Sequence, residues 1–251
     1  MRRVVMFSGG VGSWGAAKRV AEKYGTDDLT LLFADTMTED ADTYRFLREA
    51  AANVGGQLVE IRDGRTIWEV FEGHGKKGFL GNSRIAHCSI KLKQEMASRW
   101  LAEHRDHEQT VAYVGIDWTE IHRFEAIRKI RSADGWTYEA PLCEPPYLTK
   151  DDLHDWATHE GLRKQRLYEL GMAHANCGGG CVRAGIGHFA HLLRVLPDVY
   201  AEWEGNEERL RAKIGNVAIL TDRRGGKERH VHGKDRDRVQ DPDGCRATCA
   251  P

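Results

Sequence analysis

Two thiols separated by three glycines, Cys177 and Cys181 in the stretch NCGGGC, are the most chemically suggestive pattern near the carboxyl end. Three glycines let the backbone wrap closely, so both sulfurs can face one centre. Such a pair supplies half of a four-coordinate zinc or cuprous site, two ligands of an iron-sulfur cluster, or a pair of free or disulfide-linked thiols. A second pattern lies near the start, where the apolar run Val4 to Phe7 feeds directly into Ser8-Gly9-Gly10-Val11-Gly12-Ser13. A strand that enters a glycine turn and then a helix makes an anion site, because unpaired backbone N–H groups converge there and the helix dipole adds positive potential. Ser8 and Ser13 can add hydroxyl donors. The spacing is neither G-x-G-x-x-G nor G-x-x-x-x-G-K-[ST], so neither the dinucleotide fingerprint nor the ordinary phosphate loop applies.

The elements that must position these groups follow from periodicity. Strands are expected at 4–7, 29–34, 57–61 and 110–116, with helices at about 13–24, 40–53 and 90–104 and a Gly/Lys-rich loop at 73–82. This alternation predicts an α/β fold, a parallel sheet with helices on both faces. From residue 141 a proline-marked loop leads to a helix with Thr149 as N-cap and Asp152 three residues on. A further helix is expected over 188–213, bent or interrupted by Pro197. The expected organisation is a nucleotide-binding domain over 1–140, a helical, cysteine-bearing segment over 141–221 and a mobile charged tail over 222–251.

Composition narrows the partners. With 37 basic and 38 acidic residues in 251, no global charge excess points to nucleic acid or membrane. No stretch approaches the roughly 20 apolar residues of a membrane span, and the N-terminal apolar run is too short for a signal peptide. A cytoplasmic location is therefore expected, and there six cysteines serve as metal ligands, redox groups or buried thiols rather than a disulfide framework. Residues 223–238 carry seven basic side chains against three acidic ones, a local excess that could neutralise a few phosphates of a nucleic acid.

Several segments, in order, resemble the phosphoadenylylsulfate (PAPS) reductase family of the PP-loop ATP pyrophosphatase superfamily. SGGVGS is similar to the PP-loop S-G-G-x-D-S, and FADTMTEDADTYRFL to the family's DTG…ET..F segment. NSRIAHCSIKLKQE resembles its Cys-x-x-x-Leu-Lys stretch, GIDWTEIHR its G-I-R-x-x-E-S-x-x-R, and LYELGMAHANCGGGCV its closing cysteine motif. The resemblance spans residues 4 to 205 and implies a Rossmann-like, adenine nucleotide alpha hydrolase-like fold. It implies an adenine nucleotide (ATP, PAPS or adenylylsulfate) bound at Ser8, Gly9, Gly10, Val11, Gly12 and Ser13, with Asp35, Thr36 and Lys91 nearby. It also implies functional roles for Asp35, Glu120 and Arg123. The family's Asp in the first motif is replaced by Gly12, which puts ATP cleavage in doubt and leaves Asp35 as the candidate Mg2+ holder.

The same resemblance makes Cys88 the third ligand, with Cys177 and Cys181, of a candidate [4Fe-4S] cluster, the fourth being Cys143, a tail cysteine or none. Cys245 is loosely similar to the tail nucleophile of cluster-free reductases, with Cys249 as resolving thiol. Two activities are implied: sulfonucleotide reduction, or ATP-dependent adenylation and thiolation of a nucleic acid or nucleotide, as a sulfurtransferase fed by a sulfur-carrier protein. The alternative is a nucleotide-binding partner module that has lost catalysis. A homodimer is a candidate assembly.

Overall fold

The structure is a computed structural model that describes residues 1–75, 77–80, 86–222 and 229–240. In chain order the elements begin with β1 (Arg2–Met6), α1 (Val11–Tyr24), β2 (Leu29–Asp35), α2 (Ala41–Val54), β3 (Gln57–Arg62), α3 (Ile67–Glu72) and α4 (His87–Ser89). After a π-helical turn at Ile90–Gln94 come α5 (Glu95–His104), β4 (Thr110–Val114), α6 (Ile121–Ala133), β5 (Thr137–Glu139), α7 (Lys150–His159) and α8 (Arg166–Glu169). The last described elements are α9 (Ile186–Val195), α10 (Pro197–Ile214), β6 (Leu220–Asp222), β7 (Arg229–Val231) and α11 (Arg236–Gln240). Among the described residues no helix is long and apolar enough to cross a membrane.

Five strands form one parallel sheet in the order β3-β2-β1-β4-β5, so the fold is α/β as the alternation predicts. The two faces of β1 are occupied by adjacent valines, since successive strand side chains point to opposite sides. Val5 joins Leu31, Phe33, Tyr113 and the inner faces of α1, α2 and α7. Val4 joins Leu32, Ala112 and Val114 under Leu101 of α5 and the partly buried Phe124 of α6. Val4 and Val5 are fully buried, which is why the central strand reads as an unbroken apolar run.

The chain divides into two compact units, one of Met1–Asp35, Ala41–Asp63 and Lys93–Arg166, the other of Thr36–Asp40, Gly64–Leu92 and Leu167–Pro251. Each is discontinuous in sequence, so they do not follow the contiguous division at 140 and 221. The first unit contains the sheet. The second has its own core, in which Phe71, Leu92, Leu167, Phe189, Leu192, Tyr200 and Trp203 meet.

Pro197 divides the expected 188–213 helix outright. Leu196 adopts φ -140° and ψ 65°, and Pro197 opens α10, where its missing N–H is no loss. The segment expected as a mobile tail from residue 222 is different where it is described. Residues 229–231 pair with β6 as an antiparallel ribbon, and α11 follows. Two apolar residues suffice to anchor it: Val231 and Val239 are at most 1% exposed. Buried Glu207 accepts from the N–H groups of Ile219 and Gly233, both at 2.9 Å, while the Tyr200 hydroxyl donates to Gly233 O at 2.6 Å. Cys245 and Cys249 lie outside the described residues.

Candidate functional site

The turn between β1 and α1 is held by its own hydroxyls. Ser13 Oγ donates to Gly10 O at 2.8 Å and accepts from Ser8 N–H at 3.2 Å and from the Ser8 hydroxyl at 3.3 Å. Ser13 is buried, so its hydroxyl, expected as a ligand donor, braces the loop; the Ser8 residue is exposed. Gly9 takes φ +75°, the left-handed region that a side chain would strain. Gly10 is the N-cap of α1, with no side-chain cap bond, and the first turn holds no acid. A 14-residue helix thus begins with backbone donors that no side chain caps.

Two further residues complete this turn: Gly115, which opens the GIDWTEIHR segment, and Gln165, which no sequence pattern marked. A Cβ on Gly115, just beyond β4, would stand 2.6 Å from both N and Cα of Ser13, so only glycine lets the two backbones approach. The glycine after an apolar strand was visible; the partner across the sheet was not. Gln165 is 1% exposed, and its Nε2 donates to Gly9 O at 3.2 Å and to Thr43 Oγ1 at 3.1 Å. Its Oε1 is buried without a hydrogen-bond partner among the described residues, an acceptor that a bound molecule or water would satisfy. Gln165 is placed by Asp42, whose Oδ2 accepts from Arg166 N–H at 2.7 Å. The Arg45 guanidinium beside Asp42 holds that carboxyl at about 2, well below the usual carboxylate range.

Gly12 faces the same strand end: a Cβ there would lie 3.1 Å from Gly115 O. Asp35 ends β2, and its Oδ1 accepts from Tyr44 O–H at 2.6 Å. Glu120 and Arg123 are near the end of the loop after β4 but pair with each other as an (i, i+3) ion pair, with the Arg123 side chain 55% exposed. In the same loop Asp117 caps the turn by accepting from Thr119 N–H at 2.9 Å.

In the second unit, Thr36 is buried, its Oγ1 2.8 Å from Thr38 Oγ1 and donating to Glu39 Oε1 at 3.3 Å. Lys91 is exposed on the π-helical turn. Glu39 also accepts from Cys177 N–H, at Oε2 and 2.7 Å. Cys177 takes φ 55° and ψ 38°, an uncommon conformation for a residue with a Cβ. Gly178, at φ +62°, follows; a Cβ on it would stand 2.9 Å from Thr38 O. The bend returns Cys181 to Cys177, whose thiol hydrogen-bonds its sulfur and, outweighing burial, holds the Cys181 thiol below its ordinary value. Arg183 N–H donates to Cys181 Sγ at 3.4 Å. His188, its pKa lowered chiefly by burial, lies 2.7 Å from Gly179 O through Nε2.

Two of the three expected cluster ligands therefore meet. Cys88 is buried in the same apolar core, 8% exposed, against which Cys177 packs. Among the described residues no group of three His, Cys, Asp or Glu side chains forms a metal site. Cys143 donates instead to Ile116 O at 3.4 Å, and burial pushes its thiol up.

The parallel sheet with β1 central defines an open α/β domain whose topological switch point lies between β1 and β4, because the chain leaves β1 toward β2 and returns from β3 to β4 on its other side. No family model matches this sequence, and no curated protein does. Among solved structures the chain is similar to the PAPS reductase from Candida auris determined as a phosphate complex, with a TM-score of 0.48 and 15% identity over 72% of this chain and 83% of that one.

Proposed function

We propose that this protein is an adenine-nucleotide-binding enzyme of sulfur chemistry, of the PAPS reductase type. The observation that carries the reading is the uncapped N-terminus of α1, opened by Gly10 at the β1/β4 switch point. Ligands of open α/β sheets bind at the carboxyl ends of strands at such a point. Backbone donors there suit phosphoryl or sulfuryl oxygens and need no reorganisation as charge develops. The orphan Gln165 Oε1 supplies an acceptor beside Gly9 for a donor group of the bound molecule.

With glycine at 12, the turn offers amide groups without the carboxylate that holds Mg2+ in relatives. That favours sulfonucleotide reduction over pyrophosphate release. In reduction a thiolate attacks the sulfuryl sulfur, an S–S bond forms and the S–O bond to the nucleotide phosphate breaks. A second thiol then displaces sulfite and leaves a disulfide for an external dithiol to reduce. A catalytically silent nucleotide-binding module is the second reading, and the Glu120–Arg123 pairing favours it, since that guanidinium is already engaged.

The test is anaerobic calorimetric titration with ATP, PAPS and adenylylsulfate, followed by product analysis with a dithiol present. Binding of PAPS or adenylylsulfate with sulfite release is the expected result. Pyrophosphate release from ATP would reassign the enzyme to adenylation. Nucleotide binding without turnover would establish the silent module, and no binding of any of the three would overturn the nucleotide reading.

A further inference from the structure

The last turns of α1 line a cavity of about 570 Å3 within the first unit, and no residue from Ser8 to Ser13 contributes to it. Arg19 to Lys23 lie eight to twelve residues past Val11, roughly 12–18 Å along the helix axis at 1.5 Å per residue. The volume lies in the range that accepts small organic molecules.

Its walls are preformed. Tyr113 of β4, 2% exposed, and Trp156 of α7 provide aromatic surface. Trp156 is fixed by an edge contact with Trp14, the ring centroids 4.8 Å apart. The loop from Pro141 to Pro146 forms a further wall, and Arg19 staples it to α1. Its Nη1 donates to Pro141 O at 2.8 Å and to Glu144 O at 2.9 Å, and its Nη2 to Pro146 O. One guanidinium tying three carbonyls keeps that loop from settling into the space, so a ligand would not have to order it first.

The charge at the cavity selects the ligand. Glu22, Glu139 and Glu144 bring three carboxylates. Of the two cations, Arg19 spends its donors on carbonyls, and Lys23 Nζ sits 4.9 Å over the Tyr24 ring. The carboxyl end of α1, where carbonyls carry partial negative charge, adds to the preference for a cation. Glu22 and Glu144 face Arg19, and Glu139 and Glu144 face Lys23, so the lining keeps one carboxylate in excess of its cations and favours a cation over an anion.

We propose that this cavity is a second ligand site, built for a small aromatic amine whose ring lies against Tyr113 and Trp156 and whose protonated nitrogen meets Glu139, with Glu22 and Glu144 at the rim. The site stands apart from the nucleotide reading, and its test does not use a nucleotide.

The probes are tryptamine, tryptophol and indole-3-acetate, which share one ring and differ in a cationic, neutral or anionic tail. Each is titrated into the full-length protein by calorimetry and ligand-observed NMR. Tryptamine should saturate and bind about tenfold more tightly than tryptophol, the worth of one charge-assisted hydrogen bond, with indole-3-acetate weakest. Glu139→Gln should remove that advantage while leaving tryptophol binding unchanged. If Glu139→Gln fails to fold, the exposed pair Glu22→Gln and Glu144→Gln serves instead and should cut tryptamine affinity in the same sense. Absence of saturation by tryptamine, equal affinity for all three indoles, or an unaltered ranking in the folded variants would overturn the proposal.

Discussion

The protein contains two glycine-rich turns that use their glycines in opposite ways. At Ser8–Ser13 the side chains are consumed internally, Ser13 bonding to Gly10 and Ser8, and what the turn offers is backbone N–H groups at the head of α1. At Cys177–Cys181 the backbone is consumed, its bend held by Glu39 on Cys177 N–H and by His188 at Gly179 O, and what the turn offers is two thiols. Each is anchored by a carboxylate that accepts a backbone N–H at 2.7 Å, Asp42 on Arg166 N–H in one unit and Glu39 on Cys177 N–H in the other. Similar composition therefore yields an amide cradle in one place and a paired nucleophile in the other. The difference lies in which atoms the surroundings leave uncommitted.

The sharpest way to break this comparison is to add one methyl group to each turn's support. In Gly115→Ala the new Cβ would stand 2.6 Å from backbone atoms of Ser13, which cannot move without unwinding the first turn of α1. In Gly180→Ala it would stand 2.1 Å from Cε2 of Trp203, a side chain packed against Trp68 and Phe189. Both should cost about 3 kcal/mol, the upper range for overpacking. Thermal melts check the stability, and alkylation with titration of PAPS checks the function. Gly115→Ala should lose nucleotide affinity and keep thiol reactivity; Gly180→Ala should do the reverse. Loss of both functions in either variant would show that the two turns are not independent devices.

A smaller effect separates the anchors. Asp42 has its pKa lowered from 3.8 to about 2, chiefly by the Arg45 hydrogen bonds, and its side chain is only 12% exposed. Because the folded value is depressed, this stabilisation is complete above about pH 4 and is lost as pH falls toward 2, amounting to about 2 kcal/mol. Asp42→Asn should therefore lower stability at pH 7 by about that amount and flatten the acid limb of the stability curve. Denaturant melts between pH 2 and 7 measure it. An unchanged acid limb would show that Asp42 is not what anchors the segment carrying Gln165.

Much of the first turn was legible in the sequence because its determinants are local: an apolar run, glycines and an amphipathic helix. The sheet followed from the same signals. What escaped was tertiary. Gly115 matters through Ser13 across the sheet, and Gln165 through Gly9, 156 positions away, and no periodicity marks a buried amide. Helix α6 went unread because its apolar residues, Ile121, Phe124, Ile127 and Ile130, alternate with charged ones and none is fully buried. Glu120 and Arg123 were recognisable as residue types in a pattern, yet their pairing with one another depends on a side-chain choice that spacing alone leaves open. The glycines between Cys177 and Cys181 foretold a close bend but not the positive φ at Cys177 itself, which Glu39 secures from a distant segment.

The smallest expected effect tests what the second turn offers. If Cys181 owes its acidity mainly to the Cys177 thiol, Cys177→Ala should raise the Cys181 pKa toward its ordinary value of 9. Stability should change by under about 1 kcal/mol, since a partly exposed side chain is removed and the anchoring N–H remains. The sign for reactivity is fixed: with its pKa at about 6 the Cys181 thiol is mostly thiolate, the form that alkylates, near pH 7, and a rise toward 9 would leave only about 1% of it in that form. Iodoacetamide modification of Cys181 near pH 7, followed by mass spectrometry, should therefore slow in the variant while Cys88, buried in the apolar core, stays slow in both. Cys177→Ser, whose hydroxyl can still donate, should recover part of the rate. An unchanged rate in Cys177→Ala would assign the acidity to the backbone donors at Arg183 and Ala184, making the thiol turn an amide device like the first.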